Sequence, residues 1–300
     1  MSDSSDRLRT WYAEHVVDNE AAQTRLLNAY KLGLRARARA RGLVGRLGGV
    51  PGVPTNVYYA TVQKTGSHWF KDVFDDPRVR RASGLWSYPG HRYEWDEFHK
   101  RFPPRHFVPA LFISYGQYEE IIKPPDHRTF YVTRDPRDIV VSWYYSMRDT
   151  HRLAGKVPQH RAVLRARSFE DGITYAIETL AYTFSFMRSW AYAAPHDPNV
   201  LMVRFEDVMS DPESGLRTIF DHCRLPVSDA LVTALTADYT KDRMRERDAS
   251  RSFLTQRSVS DASHYRPGGS SWQEAFTPAH HDQFAAANGD ILSLLGYDTP

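Results

Sequence analysis

The chain has 300 residues, of which 41% are hydrophobic and 25% carry a charge. This length and composition provide a hydrophobic core for one large domain or two small ones, and the mean hydropathy of −0.55 is typical of a soluble protein. The formal net charge of +3 is too small to favour general nucleic-acid binding, although charge concentrated at one pocket would attract an anionic ligand.

Cysteine content and the N-terminal sequence predict the compartment. Cys223 is the only cysteine, so the chain forms no internal disulfide and offers no second thiolate for a metal site. We interpret Cys223 as a small buried hydrophobe. Residues 1–28 are charged throughout, and no segment reaches the ~20 apolar residues that a membrane-spanning helix needs. We therefore expect a cytoplasmic protein without a transmembrane segment.

The first 52 residues predict a helical arm ahead of a main domain at 53–300. Residues 31–46 are rich in arginine and alanine, and Pro51 to Pro54 then interrupt the chain. Two interpretations of residues 31–46 remain open. The more common is a solvated helix face; the other is an amphipathic helix that makes weak contact with acidic lipid or with a partner chain. A homodimer is a separate expectation, for which the sequence identifies no surface.

The main domain begins with an apolar strand that leads into a polar turn and a helix. The strand is predicted at 56–62, and the turn contains Lys64, Thr65, Gly66 and Ser67. A turn of this kind leaves the first amides of the following helix pointing outward at its positive end. Lys64 adds a mobile charge, and the hydroxyls of Thr65 and Ser67 add donors. The segment predicts a phosphate-binding site.

The order of residues in this turn differs from the loop that binds ATP or GTP. That loop is a longer glycine-rich run that ends in Gly-Lys-Ser/Thr, whereas here Lys64 precedes the only glycine, Gly66. A phosphate-binding kinase or NTPase is therefore disfavoured, and we retain it as an alternative.

Two apolar or aromatic segments come next in the chain. Residues 84–95 contain Trp86, Tyr88, Tyr93 and Trp95, which would suit either the wall or lid of a small-molecule pocket or a surface loop with packed aromatics. Residues 107–114 form an apolar run that the pattern alone does not assign to a helix or a strand.

A second strand-to-helix transition lies at 128–145. The strand at 129–133 ends at Arg134, and the next helix has Asp135 as its N-cap and Pro136 in its first position. Asp138, three residues after the cap, is placed to reach back to it. Arg134 and Ser142, two helical turns apart, can converge on one oxyanion, so we interpret them as a second phosphate clamp.

Later segments continue the alternation of strands and helices. Apolar residues at three- and four-residue steps predict a long core helix over 168–190, which includes Phe169. A strand is expected at 200–205, followed by a helix near Asp211. Such alternation predicts a parallel sheet flanked by helices, with ligands beyond the carboxyl ends of the strands, where Lys64 and Arg134 both fall.

The last notable segment, at 264–277, predicts a flexible basic flap on a packed hinge. Gly268 and Gly269 allow close approach of backbone amides to a ligand, and Arg266 supplies charge. Trp272 and Phe276, spaced four residues apart, would anchor the flap to the rest of the domain.

Together, the turn at 63–69, the segment 134–144 and the segment 264–277 resemble motifs of sulfotransferases of the cytosolic type, which use 3′-phosphoadenosine-5′-phosphosulfate (PAPS). Lys-Thr-Gly-Ser-X-Trp resembles their 5′-phosphosulfate loop, and Arg-Asp-Pro-X-Asp-X-X-Val-Ser-X-Tyr resembles their 3′-phosphate-binding strand and helix. Gln63 replaces a proline, Pro267 a lysine and Ser271 an aspartate of the family motifs, so the sequence resembles a divergent member of the family.

The resemblance implies a P-loop-like three-layer α/β fold and metal-free transfer of a sulfuryl group from PAPS to a hydroxyl of a small-molecule acceptor, with 3′-phosphoadenosine 5′-phosphate (PAP) as the product. It implies that Lys64 stabilises the leaving group. His106 stands near the position of the family's catalytic histidine, one residue out of spacing, and the carboxylates of Glu94, Asp96 and Glu97 are the alternatives for the base. A catalytically inactive relative that binds nucleotide is also compatible with the sequence.

Contacts to the nucleoside are implied by the same resemblance. Trp69 matches the tryptophan that stacks on adenine, and Thr240 matches a residue near that base. Phe205 stands where the family has a tyrosine near the 3′ side, so a hydroxyl is lost. His68, inside the phosphate turn, either contacts the sulfate or faces solvent at the start of the helix. The acceptor itself, whether a ring, steroid, lipid or sugar hydroxyl, is left open.

Overall fold

A computed structural model describes residues 32–43, 49–88, 101–151, 155–249 and 271–297. Its strands are β1 Asn56–Thr61, β2 Trp86–Ser87, β3 His106–Phe112, β4 His127–Thr133 and β5 Val200–Arg204. The helices before β4 are α1 at 32–43, α2 Ser67–Phe74, α3 Pro77–Ser83 and α4 Tyr115–Glu120. Those between β4 and β5 are α5 Pro136–Tyr145, α6 Val157–Arg165 and α7 Phe169–Ala193, with a π-helix at Ser146–Thr150 and a 3-10 turn at Ala194–His196. After β5 come α8 Phe205–Ser210, α9 Pro212–His222, α10 Asp229–Asp238, α11 Lys241–Ala249, α12 Trp272–Ala275, α13 Pro278–Asn288 and α14 Ile291–Leu294.

The five described strands form one parallel sheet in the order β2-β3-β1-β4-β5. The central strand β1 pairs with β3 on one side and β4 on the other. Strands later in the chain are thus added on both sides of β1, and its carboxyl end is the point where an open α/β sheet forms a ligand crevice. The predicted α/β fold is confirmed.

Side chains alternate between two cores because successive residues of a strand point to opposite faces of the sheet. Val57 and Tyr59 belong to a cluster with residues of α2, α3, α9 and α10. Tyr58 and Ala60 face the other side, where they pack in a cluster that includes Trp190 of α7. Helices therefore cover both faces, and the predicted three-layer arrangement is confirmed.

The predicted long helix is α7, and Ser168 caps it by accepting a hydrogen bond from the Asp171 amide. Its residues at three- and four-residue steps are fully buried, as expected: Ile173, Ile177, Leu180, Phe184 and Met187. The expectation for Phe169 is wrong, since its side chain is 38% exposed. As the first residue of the helix it lies at the margin of the core, in edge contact with the Tyr144 ring.

Pairing between strands determines the extent of β3 and of β5. The ambiguous run at 107–114 belongs largely to β3, which is extended because it pairs with β1 and β2. The strand predicted at 200–205 ends at Arg204, and Phe205 begins α8 instead. The helix expected near Asp211 is α9, with Asp211 as its N-cap.

Residues 32–43 of the predicted arm are helical, and the rest of residues 1–48 lies outside the described part. Within the described ranges, no helix is both long and apolar enough to cross a membrane. Cys223 is fully buried, and burial raises the pKa of its thiol, in agreement with its interpretation as a small core residue.

Trp190 of α7 should be critical for stability. Its ring is fully buried and stacks on Tyr131 of β4 with ring centroids 4.6 Å apart, while its indole N–H donates to the Ile113 carbonyl at 2.8 Å. We expect Trp190→Ala to lower the free energy of unfolding by about 3–5 kcal/mol in urea titrations. Tyr182→Ala, on the same helix but 60% exposed, should change it by less than about 1 kcal/mol. Equal losses in the two variants would contradict this account.

Candidate functional site

The turn between β1 and α2 has an unusual backbone. Lys64 and Gly66 both have positive φ, 71° and 72°, and Gly66 is the N-cap of α2. A left-handed lysine costs conformational energy, which the surrounding structure must offset. Among the described residues, no side chain caps the first turn of α2, and the leading amides at the positive end of a helix are where an anion binds.

Only glycine fits at position 66. A β-carbon there would lie 2.3 Å from the Phe205 ring, far inside van der Waals contact. Phe205 comes from the first turn of α8, after β5. The turn is therefore packed directly against an aromatic side chain from a distant part of the chain.

Buried hydroxyls lie beneath the turn. The Thr65 side chain is fully buried; its hydroxyl donates to the Val62 carbonyl at 2.8 Å and contacts the Thr61 hydroxyl. Thr61 in turn donates to the Val132 carbonyl of β4 at 2.7 Å. The expectation that the Thr65 hydroxyl is a ligand donor is therefore wrong, because this hydroxyl ties the turn to the sheet. The backbone amide of Thr65 and the half-buried Ser67 remain the candidates for binding.

The two predicted phosphate-binding segments lie side by side. The Arg134 guanidinium donates from Nη1 to the Lys64 carbonyl at 2.8 Å. Both residues follow the carboxyl ends of adjacent parallel strands, β1 and β4. Asp135 and Pro136 start α5 as predicted, the Asp135 carboxylate accepting from the Arg137 amide. Ser142 lies on this helix and is half-buried.

Arg134 has donor capacity left for a ligand. Its Nη2 lies 3.6 Å from the Asp138 carboxylate, and its guanidinium carbon lies 5.0 Å from the centre of the Phe205 ring. Its Nε is buried, and among the described residues no acceptor lies within hydrogen-bonding distance of it. A buried, unsatisfied guanidinium N–H is the observation expected where an anionic ligand completes the site.

Asp138 does not reach back to the cap of α5, contrary to the prediction. Its carboxylate accepts from the Trp272 amide at 3.1 Å, while the Asp135 amide donates to Glu206. Long-range partners thus replace the local capping interaction. Burial raises the pKa of Asp138, and Arg134 opposes that effect.

Three further residues organise the site and were missed by the sequence analysis. Arg137 is buried, forms a bidentate pair with Asp135, and lies 3.6 Å above the Trp272 ring. Glu206 accepts both from the Asp135 amide and from the Tyr297 hydroxyl. Tyr297 thereby joins the C-terminal part of the chain to α8. The Arg137–Asp135 pair is local, but no local signal identifies the other partners, because those contacts join segments far apart in sequence.

The predicted flap residues Arg266, Gly268 and Gly269 lie outside the described residues. The hinge predicted after them is present. Trp272 and Phe276 are in edge-to-face contact, with ring centroids 6.5 Å apart, and α12 packs on α5, the helix that carries Ser142. This arrangement places the carboxyl end of the flap segment beside the second phosphate clamp.

The predicted adenine contacts, Trp69 and Thr240, lie on α2 and directly after α10. The Trp69 side chain is largely buried, and its indole N–H donates to the Tyr239 carbonyl at 2.8 Å. Thr240 directly follows Tyr239 in the chain and is exposed. His68 is half-buried in the first turn of α2.

His106 is misplaced for the role of catalytic base. It begins β3 in register with Asn56, the first residue of β1, whereas Lys64 follows the last. Five strand steps of about 3.3 Å separate the two ends of β1, so His106 lies roughly 17 Å or more from the turn. Its ring is buried against the Pro104 carbonyl, and burial lowers its pKa. The alternatives Glu94, Asp96 and Glu97 lie outside the described residues.

The described part of the aromatic segment at 84–95 lies, like His106, at the amino-terminal end of the strands, away from the Lys64 turn. Trp86 pairs with His106 in the sheet, and its ring lies under the guanidinium of Arg41, so it does not line the turn. Residues 89–95 lie outside the described part.

A cavity of about 440 Å³ along the edge strand β5 includes Arg204 and Asp207 but none of the predicted site residues.

The fold and the site together define a class: an α/β protein in which two cationic segments, at Lys64 and Arg134, lie side by side at the carboxyl ends of β1 and β4. Within the described residues, no cluster of histidine, cysteine or carboxylate side chains could hold a metal ion.

Comparison with known proteins identifies the family. The sulfotransferase domain model matches residues 54–296, and the chain belongs to this family. Among solved structures, the fold is similar to that of mouse sulfotransferase SULT7A1 complexed with PAP (19% identity, TM-score 0.59, covering 81% of this chain and 88% of that one). It is also similar to retinol dehydratase in complex with androsterone and PAP (17% identity, TM-score 0.51, 81% and 82% covered).

The contact between Gly66 and Phe205 generates a prediction. Gly66→Ala should lower the affinity for PAP, the product implied by the sequence motifs, by at least about tenfold in calorimetry, because the new methyl group displaces the turn. Gly52→Ala is a matched control: Gly52 also has a positive φ, 80°, but a β-carbon there meets nothing within 4 Å. Both variants incur roughly 1–3 kcal/mol of backbone strain, and only Gly66→Ala should weaken binding. Equal PAP affinity in the two would refute the proposed role of this packing.

Proposed function

We propose that the protein transfers a sulfuryl group from PAPS to a hydroxyl of a small-molecule acceptor, releasing PAP. The observation that carries this proposal is the direct contact between Arg134 and the Lys64 turn. It brings two cationic anion-binding segments within reach of one nucleotide that is phosphorylated at both ends. Membership of the sulfotransferase domain family and a PAP-bound structure with the same fold support it.

The residues present fit this donor. The turn offers Lys64 and the amides of Thr65, Gly66, Ser67 and His68 to the 5′-phosphosulfate. Arg134, with its buried Nε, and Ser142 would hold the 3′-phosphate. Trp69 and Thr240 would border the adenine, and Phe205 would support the turn from below. The flap residues Arg266, Gly268 and Gly269 would cover the 3′-phosphate.

The chemistry asked of these groups is mainly positioning and charge stabilisation. When bound, PAPS supplies the activated sulfuryl group. Lys64 and the α2 amides stabilise the negative charge that grows on the leaving phosphate, where preorganised donors are most effective. The acceptor hydroxyl must lie in line behind the sulfur and lose its proton to a base. Because His106 is at the other end of the sheet, we assign that base to the group of Glu94, Asp96 and Glu97.

The proposal also covers the compartment, the oligomeric state and contact with a membrane. We place the protein in the cytoplasm, and we propose a homodimer and a weak contact of residues 31–46 with a membrane surface.

A kinase or NTPase would require magnesium and a nucleoside triphosphate. Tight binding of PAP in the presence of a chelator therefore separates the proposed donor class from that alternative.

Binding of the 3′-phosphate should depend on Arg134. We expect Arg134→Ala to weaken PAP binding by roughly 10- to 100-fold, the value of charge-assisted hydrogen bonds. Binding of AMP, which lacks the 3′-phosphate, should weaken by less, because AMP loses only the support that Arg134 gives to the Lys64 turn. Calorimetry with both nucleotides makes this comparison. Arg224→Ala removes an equally charged surface residue that pairs with Asp126, and it should affect neither ligand. A parallel loss of AMP and PAP affinity in Arg134→Ala would contradict the assignment.

Turnover should depend on Lys64 and not on His106. Lys64→Ala should reduce the rate of labelled sulfate transfer from PAPS by about 10²–10³-fold, as removal of a transition-state donor does. His106→Gln should keep the rate within about threefold in protein whose circular dichroism is unchanged. A large loss of rate in folded His106→Gln would restore His106 as the base, and an unchanged rate in Lys64→Ala would rule out the mechanism.

A further inference from the structure

Helix α1 has one face packed against the rest of the protein. Ala38 is 2% exposed, and a β-carbon at Gly42 would meet the Pro103 ring at 2.8 Å. These two residues are four apart and therefore share a face of the helix. The Arg41 guanidinium lies 4.1 Å from the centre of the Trp86 ring, which fastens one edge of α1 to β2.

The opposite face of α1 is apolar and exposed. Successive residues turn by about 100° around a helix, so Leu32, Ala36, Ala40 and Leu43 fall together on the side away from Ala38. All four are exposed, and Leu32 and Leu43 are 67% and 64% exposed. We call this set the outer stripe. A solvated helix face would carry polar residues here, so the more common interpretation of the arginine-rich sequence does not describe this face.

Arginines border the outer stripe on both sides. Arg35 and Arg39 are four residues apart on one flank, and Arg37 and Arg41 occupy the other. Residues 32–43 contain no acidic side chain. Arg80 of α3 adds to the second flank, 4.9 Å from the Trp86 ring that Arg41 also contacts. Burial and the charges of Arg37 and Arg80 lower the pKa of Arg41, which is consistent with crowding of positive charge.

We propose that α1 docks on the surface of an acidic lipid bilayer, with the outer stripe entering the headgroup region and the arginines pairing with anionic lipids. An interfacial helix of this kind requires both an exposed apolar stripe and flanking basic residues. Nucleic acid would use the arginines but leave Leu32 and Leu43 without a role. A second copy would set rows of arginine against one another, which favours separation over a dimer at this face.

The location of α1 makes this surface independent of the cofactor site. Trp86, which α1 contacts, pairs with His106 at the amino-terminal ends of the strands. The Lys64 turn and Arg134 lie beyond the carboxyl ends. Docking through α1 would therefore leave the opposite edge of the sheet open to nucleotide. Such docking requires neither sulfuryl transfer nor any property of the acceptor.

Sedimentation of the full chain with vesicles tests the proposal. We expect binding to vesicles of phosphatidylcholine with about 30% phosphatidylserine, little binding to pure phosphatidylcholine, and release as salt is raised. Leu32→Glu/Leu43→Glu should lower the bound fraction at least about fivefold, and Arg35→Gln/Arg39→Gln should lower it similarly. Ile122→Glu is the matched control for the leucines, because Ile122 is a 46% exposed apolar residue outside α1. Arg165→Gln/Arg224→Gln, two exposed arginines outside α1, is the control for charge.

Several outcomes would overturn the proposal. They are the absence of binding to acidic vesicles, equal binding to both vesicle types, and unchanged binding in the leucine variant. Binding of double-stranded DNA that depends on the arginines but not on the leucines would assign the helix to a polyanion instead. Loss of a dimer in the leucine variant, measured by light scattering, would assign the outer stripe to a second copy. PAP affinity, measured in parallel, should be unchanged in every α1 variant and shows that the fold is intact.

Discussion

The contact between the Arg134 guanidinium and the Lys64 carbonyl holds the candidate site together. It joins the turn after β1 to the end of β4, so two anion-binding segments 70 residues apart act as one surface. The parallel pairing of β1 with β4 makes this contact possible, because it brings both carboxyl ends to the same edge. Lys64 is held in a left-handed conformation, and the Arg134 contact is one of the interactions that offset this strain.

A second constraint comes from below the turn. Phe205 packs where a side chain at position 66 would have to lie, and Arg134 stacks over the same ring. Phe205 lacks the hydroxyl of the family's tyrosine, but its ring still packs against the turn at Gly66 and against Arg134. An apolar ring at this position also excludes water beneath the guanidinium, which strengthens its interaction with an anion.

The parts of the fold that could be predicted from the sequence are those that local chemistry determines. Asp135 with Pro136, and Ser168 before an apolar stripe, begin helices for reasons contained within a few residues. The errors arose where partners are distant. Asp138 bonds Trp272 in place of its own helix end, and His106 has a suitable neighbouring sequence but the wrong strand register. Register depends on pairing with β1, which no local pattern reveals. The positions of residues 89–100 and 250–270, which carry several predicted roles, lie outside the described structure.

The C-terminal part of the chain is attached to the same helix that carries the second phosphate clamp. Trp272 contacts α5 twice, through its amide to Asp138 and through its ring to Arg137, and Asp138 also lies beside Arg134. A negatively charged ligand at Arg134 would compete with Asp138 for the guanidinium, and the Trp272 amide would then be the main partner of that carboxylate. Ligand binding and attachment of the segment ending at Trp272 therefore share one carboxylate. Binding of an anion at the phosphate clamp and attachment of α12 to α5 are in this way linked through Asp138.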